Sequence, residues 1–132
     1  MEVKASARSV RISPRKVRLV IDVIRGKKVT EAQAQLKFIK KEAAMPVLKL
    51  LNSAIANAKN NFKLDEATLY VKEIVGNDGQ TLHRWTSKAM GRSSPIRKRS
   101  THIMIVLDEV KDIQKKKLKK LKKLKKLEGL EK

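Results

Sequence analysis

The stretch Gly79-Gln-Thr-Leu-His-Arg-Trp-Thr-Ser-Lys-Ala-Met-Gly-Arg-Ser-Ser-Pro-Ile-Arg-Lys-Arg-Ser-Thr-His-Ile-Met-Ile-Val-Leu107 decides how the chain is read. Its 29 residues hold no carboxylate and lie between Asp78 and Asp108. Every charge inside it is positive: Arg84, Lys88, Arg92, Arg97, Lys98 and Arg99. Its flanks read as strands, since Leu69-Tyr-Val-Lys-Glu-Ile-Val75 and Ile103-Met-Ile-Val-Leu107 are apolar and β-branched. Between them Ala89-Met-Gly-Arg-Ser93 supplies a turn, with Gly91 able to take a positive φ without steric cost. If the flanks pair as one antiparallel ribbon, each arm beyond residue 80 has about 10 residues and projects about 30 Å at roughly 3.3 Å per residue. A two-stranded ribbon of that length is marginal alone in water. A solvated loop usually mixes charge signs, and this one does not; an all-positive ribbon asks for a polyanion.

The rest of the chain carries the same bias. Of its 132 residues, 33 are Lys or Arg and 13 Asp or Glu, a formal charge of +20. Removing the ten lysines and two glutamates beyond Gln114 still leaves +12, so the excess is not a tail effect. Such charge draws a protein to nucleic acid or an anionic membrane and says nothing about fold. The length suits one domain with extensions. The absence of cysteine excludes disulfides, thiolate catalysis and cysteine-bound zinc, and fits a reducing cytoplasm. No apolar run approaches the 18 or so residues of a membrane span, and Arg8 and Arg11 interrupt any signal-like segment. The expected location is the cytosol.

Upstream of the ribbon, Glu2 to Ile12 reads as a basic strand with Val3, Ala5 and Ala7 on one face, small enough for a helix to pack closely. Ser13-Pro14 opens a helix, with Ser as cap and Pro at the first position, and Gly26 closes it. Within it Val17, Val20, Ile21 and Ile24 keep the spacing of a buried stripe, while Arg11, Arg15, Arg18 and Arg25 fall near another stripe interrupted by Asp22. Those arginines are either a solvated face or phosphate ligands; guanidinium forks match phosphate oxygens. Thr30-Glu-Ala-Gln33 has capping-box spacing and predicts a short helix to about Ile39, with Ala32, Leu36 and Ile39 inward. A longer helix is predicted from about Lys41 to Asn61 on Ala44, Val47, Leu48, Leu51, Ala54, Ile55, Ala58 and Phe62, with Pro46 tolerable in its first turn or at a kink. Gly76-Asn-Asp-Gly79 reads two ways: as a tight turn closing a hairpin between 67–75 and 80–86, or as a bend at the root of the long ribbon.

Beyond Gln114, residues 115–127 hold nine lysines and four leucines, with Leu118, Leu121, Leu124 and Leu127 spaced by three. That spacing falls short of a helical turn, so no seam persists and a coiled coil is excluded. The segment is either a disordered cationic tail or a helix formed on RNA. Chemistry is sparse throughout. His83 and His102 lie in no metal-binding or nucleophile-activating pattern, the carboxylates are scattered, and no glycine loop cradles phosphate. No catalytic residue, metal, cofactor or small-molecule substrate is expected. Four aromatics are too few for a base-stacking platform, and Trp85 stacks either on one exposed base or on the ribbon.

Ala89-Met-Gly-Arg92, nine residues, then His102-Ile-Met-Ile-Val-Leu107 resembles the signature of bacterial large-subunit ribosomal protein L-twenty-two. Ser13-Pro-Arg-Lys-Val-Arg-Leu-Val20, Ile24-Arg-Gly-Lys-Lys-Val29 and Asn52-Ser-Ala-Ile-Ala-Asn-Ala58 extend the resemblance over about residues 3 to 110. Lys88 stands where the family usually has Arg, Ser87 where it often has Pro, and Trp85 is unusual so near the tip. The resemblance favours the ribbon-root reading of Gly76–Gly79, as does the lack of apolar alternation in Leu82-His-Arg-Trp85.

The expected fold is α+β: a small three-stranded antiparallel sheet packed on three helices, with a long protruding β-hairpin and a lysine-rich C-terminal tail. Residues 1–112 would be the globular RNA-binding domain, including the hairpin at about 79–102, and 113–132 the basic Lys/Leu tail. The resemblance implies a structural constituent of the large subunit that binds its rRNA, supports assembly and touches neighbouring ribosomal proteins. The globular part would lie near the peptide exit, and the tip (Lys88, Ala89, Met90, Gly91, Arg92) would line the tunnel beside the nascent peptide. Leu82, His83 and Arg84 match the stretch whose alteration in the family affects macrolide antibiotics. The candidate rRNA-binding set on the body is Arg8, Arg11, Arg15, Lys16, Arg18, Arg25, Lys27 and Lys28. On and beside the ribbon it is Arg84, Lys88, Arg92, Arg97, Lys98, Arg99 and His102. Two other functions fit the charge alone: a free architectural protein that uses a basic β-arm on nucleic acid, and attachment of the lysine tail to a membrane surface.

Overall fold

Apolar residues at alternate positions from Ile103 onward place the last strand at the centre of the molecule. The computed structural model describes residues 2–109; the Lys/Leu tail, and the choice between disorder and an RNA-induced helix there, lie outside the described residues. Among these the order is β1 (Val3–Val10), α1 (Pro14–Ile24), α2 (Val29–Phe38), α3 (Ala44–Phe62), β2 (Leu69–Asp78), β3 (Leu82–Ser87), β4 (Ser93–Lys98) and β5 (Thr101–Glu109). β5 lies between β1 and β2, antiparallel to both, and β3 pairs with β4 alone. The architecture is the α+β one expected: three helices on one face of a three-stranded sheet, with a protruding β-hairpin.

The core lies between the sheet and the helices. Ile103, Ile105 and Leu107 of β5, Val3 of β1, and Leu69, Val71 and Ile74 of β2 are buried against Val17, Ile21 and Ile24 of α1 and Val47, Leu51 and Ala54 of α3. Burying an aliphatic side chain of this size stabilises the fold by about 1.5–3 kcal/mol. α3 covers β1 and β5, where the half-buried Ala5 and Ala7 leave it room, and α1 covers β2. Among the described residues no helix covers the opposite sheet face, with Lys4, Ser6, Met104 and Asn77.

All four residues of the predicted α1 stripe are buried. Ser13 occupies the cap position, but its side chain makes no capping bond; its carbonyl instead takes the N–H groups of Lys16 and Val17. At the other end Gly26, at φ +75°, donates its N–H to the Val71 carbonyl at 3.0 Å, and the Val71 N–H returns a bond to the Lys27 carbonyl at 2.9 Å. That pair ties the end of α1 to β2.

Two helix starts differ from expectation. α2 begins at Val29 with Lys28 as cap, so the Thr30 box does not form. Val29 is fully buried and Lys28 bridges to Tyr70, which together draw the helix start back two residues. α3 begins at Ala44 with Pro46 inside its first turn, and Leu50 joins the core while Leu48 is half-buried and Phe62 exposed. The helix ends through Lys63 at φ +51°, with the Leu64 N–H on the Ala58 carbonyl at 3.2 Å, a left-handed closure that glycine usually supplies.

β2 keeps its inward face through a bulge. Val71 pairs with Leu107 and Glu73 with Val106, so Lys72 is the extra residue, and both Val71 and Ile74 point inward. β1 bulges between Ala7 and Val10, where Ser9 takes φ +56°. No hairpin forms at Gly76–Gly79; β2 runs through Asp78 opposite Thr101, and the ribbon resumes at Leu82 opposite Lys98. Three residues on one arm face two on the other, which makes the bend at the ribbon root.

Candidate nucleic-acid interface

From Gln80 to Arg99 no residue is buried. β3 and β4 pair from Leu82 opposite Lys98 to Ser87 opposite Ser93, and pleating divides them into two faces. One face carries Leu82, Arg84, Thr86, Ser94, Ile96 and Lys98. The other carries His83, Trp85, Ser87, Ser93, Pro95 and Arg97. Trp85 therefore stands opposite Pro95 on the ribbon and remains 68% exposed. Its side chain retains open surface for a base.

The tip closes through the Lys88 N–H on the Arg92 carbonyl at 2.8 Å. Met90 at φ +58° and Gly91 at φ +66° are both left-handed. Glycine takes that conformation freely, whereas Met90 is held there by the closure and is 93% exposed. The sequence signalled Gly91; nothing in it signalled Met90.

At the ribbon root the structure gathers Arg15, Arg18 and Arg99 with Ser13, Pro14 and Asp78 around a cleft of about 370 Å³. Arg18 is partly committed: its Nε donates to the Gly76 carbonyl at 3.0 Å and a terminal nitrogen pairs with Asp78 at 3.2 Å. Arg25 is committed further, to Asp22 at 2.9 Å and the Ile74 carbonyl at 3.3 Å. Lys27 donates to Gln35 Oε1 at 2.8 Å. Lys28 is exposed at the start of α2, and Arg11 is exposed beyond β1. Lys16 lies away from its arginine neighbours, in a groove between α1 and the α2–α3 connection.

A second cleft, of about 520 Å³ on the open sheet face, brings Arg8 and His102 together with Ser6 and Asn77. His102 Nδ1 accepts the Ser9 N–H at 2.9 Å, so the bulge in β1 fixes the ring and leaves Nε2 as the nitrogen that can donate outward. Thr101 and Ser100 beside it are buried, their hydroxyls donating to the Ile12 and Gln80 carbonyls at 2.6 Å each. Sequence reasoning missed these anchors because a hydroxyl's partner across the fold leaves no local pattern.

Acidic groups gather at the far end of the sheet. Lys72, the bulge residue, pairs with Glu2 and with Asp108, the latter at 3.1 Å. Hydrogen bonding to those carboxylates raises the Lys72 pKa, and its ammonium lowers that of Glu2. Burial pushes Asp108 up, but hydrogen bonds, those from Lys72 and the Glu109 N–H among them, hold it below the ordinary carboxylate value. The sheet end away from the ribbon is therefore charge-balanced, while the ribbon end is cationic. Among the described residues no cluster of His, Asp and Glu is placed to hold a metal, and no helix is long and apolar enough to cross a membrane.

This distribution, with an uncovered cationic ribbon on a small α+β body, fits the comparison with known families: residues 5–108 match ribosomal protein L22p/L17e. The chain belongs to that family. As an L22p/L17e protein it is a structural, non-enzymatic component of the large subunit of the cytoplasmic ribosome, binding rRNA and other ribosomal proteins. The matched span ends at the close of β5, so the family likeness takes in body and ribbon.

Proposed function

We propose that the ribbon threads into folded large-subunit rRNA while the body stays near the peptide exit, so that the tip lines the nascent-peptide tunnel. The observation that carries this reading is the ribbon itself. From Gln80 to Arg99 nothing is buried, and the only charges are Arg84, Lys88, Arg92, Arg97, Lys98 and Arg99. With no apolar support of its own, such a ribbon is stabilised when phosphates replace water and counterions leave. Arg11, Arg15, Arg18, Arg99, Arg8 and His102 pin the body at the root, with Lys27 and Lys28 contacting RNA at the margins of the helical layer, while Arg25 stays engaged with Asp22 and the Ile74 carbonyl. Residues 1–112 act as the RNA-binding unit and 113–132 as a separate basic tail.

At the tip, Lys88 and Arg92 meet tunnel-wall phosphates, and Ala89 and Gly91 keep the lumen side small. Met90 presents its thioether to the passing peptide. Leu82, His83 and Arg84 form half of β3, opposite Lys98, Arg97 and Ile96. Deleting them strips those three residues of their partners and displaces the tip.

The experiment is a strain whose only change is deletion of Leu82–Arg84. The expected result is an altered macrolide inhibitory concentration with the protein still present in large subunits. An unchanged drug response would count against the tunnel placement.

A further inference from the structure

We infer that the apolar groove between α1 and the α2–α3 connection seats an acidic, amphipathic segment of a neighbouring protein in the large subunit. This goes beyond rRNA binding and rests on the ribosomal reading only for where the partner is found. The groove, of about 470 Å³, has Leu19, Val23 and Ile39 in its wall. Leu19 is 67% and Val23 39% exposed. Across the Ile39–Glu42 segment a second cleft adds Met45 and Leu48, and Phe38, at the end of α2, is 84% exposed. Leu19 and Val23 in the one cleft and Met45 in the other thus put three of the large apolar side chains exposed among the described residues beside the Ile39–Glu42 segment.

Charge complementarity identifies the occupant. Lys16, Lys37, Lys40 and Lys41 line these clefts, with Glu42 the one acid among the lining residues. None of the four lysines pairs with a carboxylate among the described residues. A phosphate chain laid here would find the lysines but leave the aliphatic walls of Leu19, Val23 and Ile39 uncovered. An amphipathic peptide gains on both counts, burying its apolar side on Leu19, Val23 and Ile39 and setting carboxylates beside the lysines. This chain's own residues 115–132, with ten lysines and two glutamates, carry the wrong sign, and a second copy would bring the same lysines against these.

The test places a photo-crosslinking benzoylphenylalanine at position 19 or 45, both exposed in the clefts, in the full chain assembled into large subunits. The expected product is an adduct to another ribosomal protein whose crosslinked peptide holds apolar residues and more Asp and Glu than Lys and Arg. Reversing the rim with K40E and K41E together should cut the adduct yield about tenfold, the scale of two exposed ion pairs turned repulsive. An adduct to rRNA, to a basic peptide, to residues 115–132 or to a second copy would overturn the inference. So would no adduct in subunits shown to contain the chain, or a yield untouched by the charge reversal. Absence of the chain from large subunits would overturn this inference together with the ribosomal reading, which separates the two failures.

Discussion

Gly79 and Ser100 meet where the sheet gives way to the ribbon. The Gly79 N–H donates to the Ser100 carbonyl at 2.9 Å, and a Cβ at position 79 would lie 2.7 Å from Ser100 Oγ and 3.2 Å from the Ser100 backbone. The Ser100 hydroxyl is committed to the Gln80 carbonyl, so it cannot swing aside without losing that bond. The exit direction of the ribbon thus depends on the missing side chain. Gly79→Ala should cost about 1–3 kcal/mol through overpacking. The Gly79→Ala, Ser100→Ala pair should recover part of that, because the nearest clashing atom is removed while the backbone contact remains. A double-mutant cycle by thermal unfolding measures the coupling.

The basic residues divide by what they already hold. Arg97, Lys98 and Arg99 are exposed and have no carboxylate partner among the described residues, so alanine at each should reduce the slope of log affinity against log salt by about 1. Arg25, bound to Asp22 and the Ile74 carbonyl, should behave otherwise. Arg25→Ala should leave the salt slope unchanged and lower stability by about 1 kcal/mol. Salt titrations with an rRNA fragment, beside urea melts, check both.

Ile21 is buried under β2, its Cδ1 so near Gly76 that a Cβ there would stand 3.1 Å away. Ile21→Ala should cost about 2–5 kcal/mol. Phe38→Ala, at the exposed end of α2, should change stability by less than about 0.5 kcal/mol. Urea unfolding of the two variants side by side checks the contrast.

Asp108 sets an acid limit. Its folded pKa lies below the ordinary 3.8, so it contributes stability that is complete above that value and lost as pH falls through the lower folded value. Asp108→Asn should cost about 1–3 kcal/mol at pH 7, since it takes from Lys72 the nearly buried one of its two carboxylate partners. The difference from the parent chain should shrink below about pH 4, where the parent carboxyl takes up its proton. Stability curves from pH 2.5 to 7 check the sign; an equal loss at both ends would contradict it.

Much of the fold was legible because the buried stripe Val17, Val20, Ile21, Ile24 and the alternation Ile103, Ile105, Leu107 each match one period of one element. The bend at Gly79 was legible as one of two readings, and the strand pairing settled it. What stayed hidden depends on residues distant in the chain. Thr30 has the letters of a capping box, but the burial of Val29 moved the helix start. Lys72 looks like one more polar position until the β5 register shows it to be a bulge. Within the candidate site, periodicity placed Arg18 and Arg25 together, yet it could not show β2 carbonyls and Asp78 waiting opposite. Lys16 follows Arg15 in the chain but sits about 100° further around the helix, in an apolar groove.

The central claim is that the ribbon takes its stability from RNA and the body from its core. Amide hydrogen exchange of the free chain and of the same chain in large subunits tests it most directly. Amides in β5 should be protected in both states, with amides from Leu82 to Lys98 exchanging quickly in the free chain and slowly in the subunit. Ribbon amides protected as strongly as those of β5 in the free chain, with no RNA present, would contradict it.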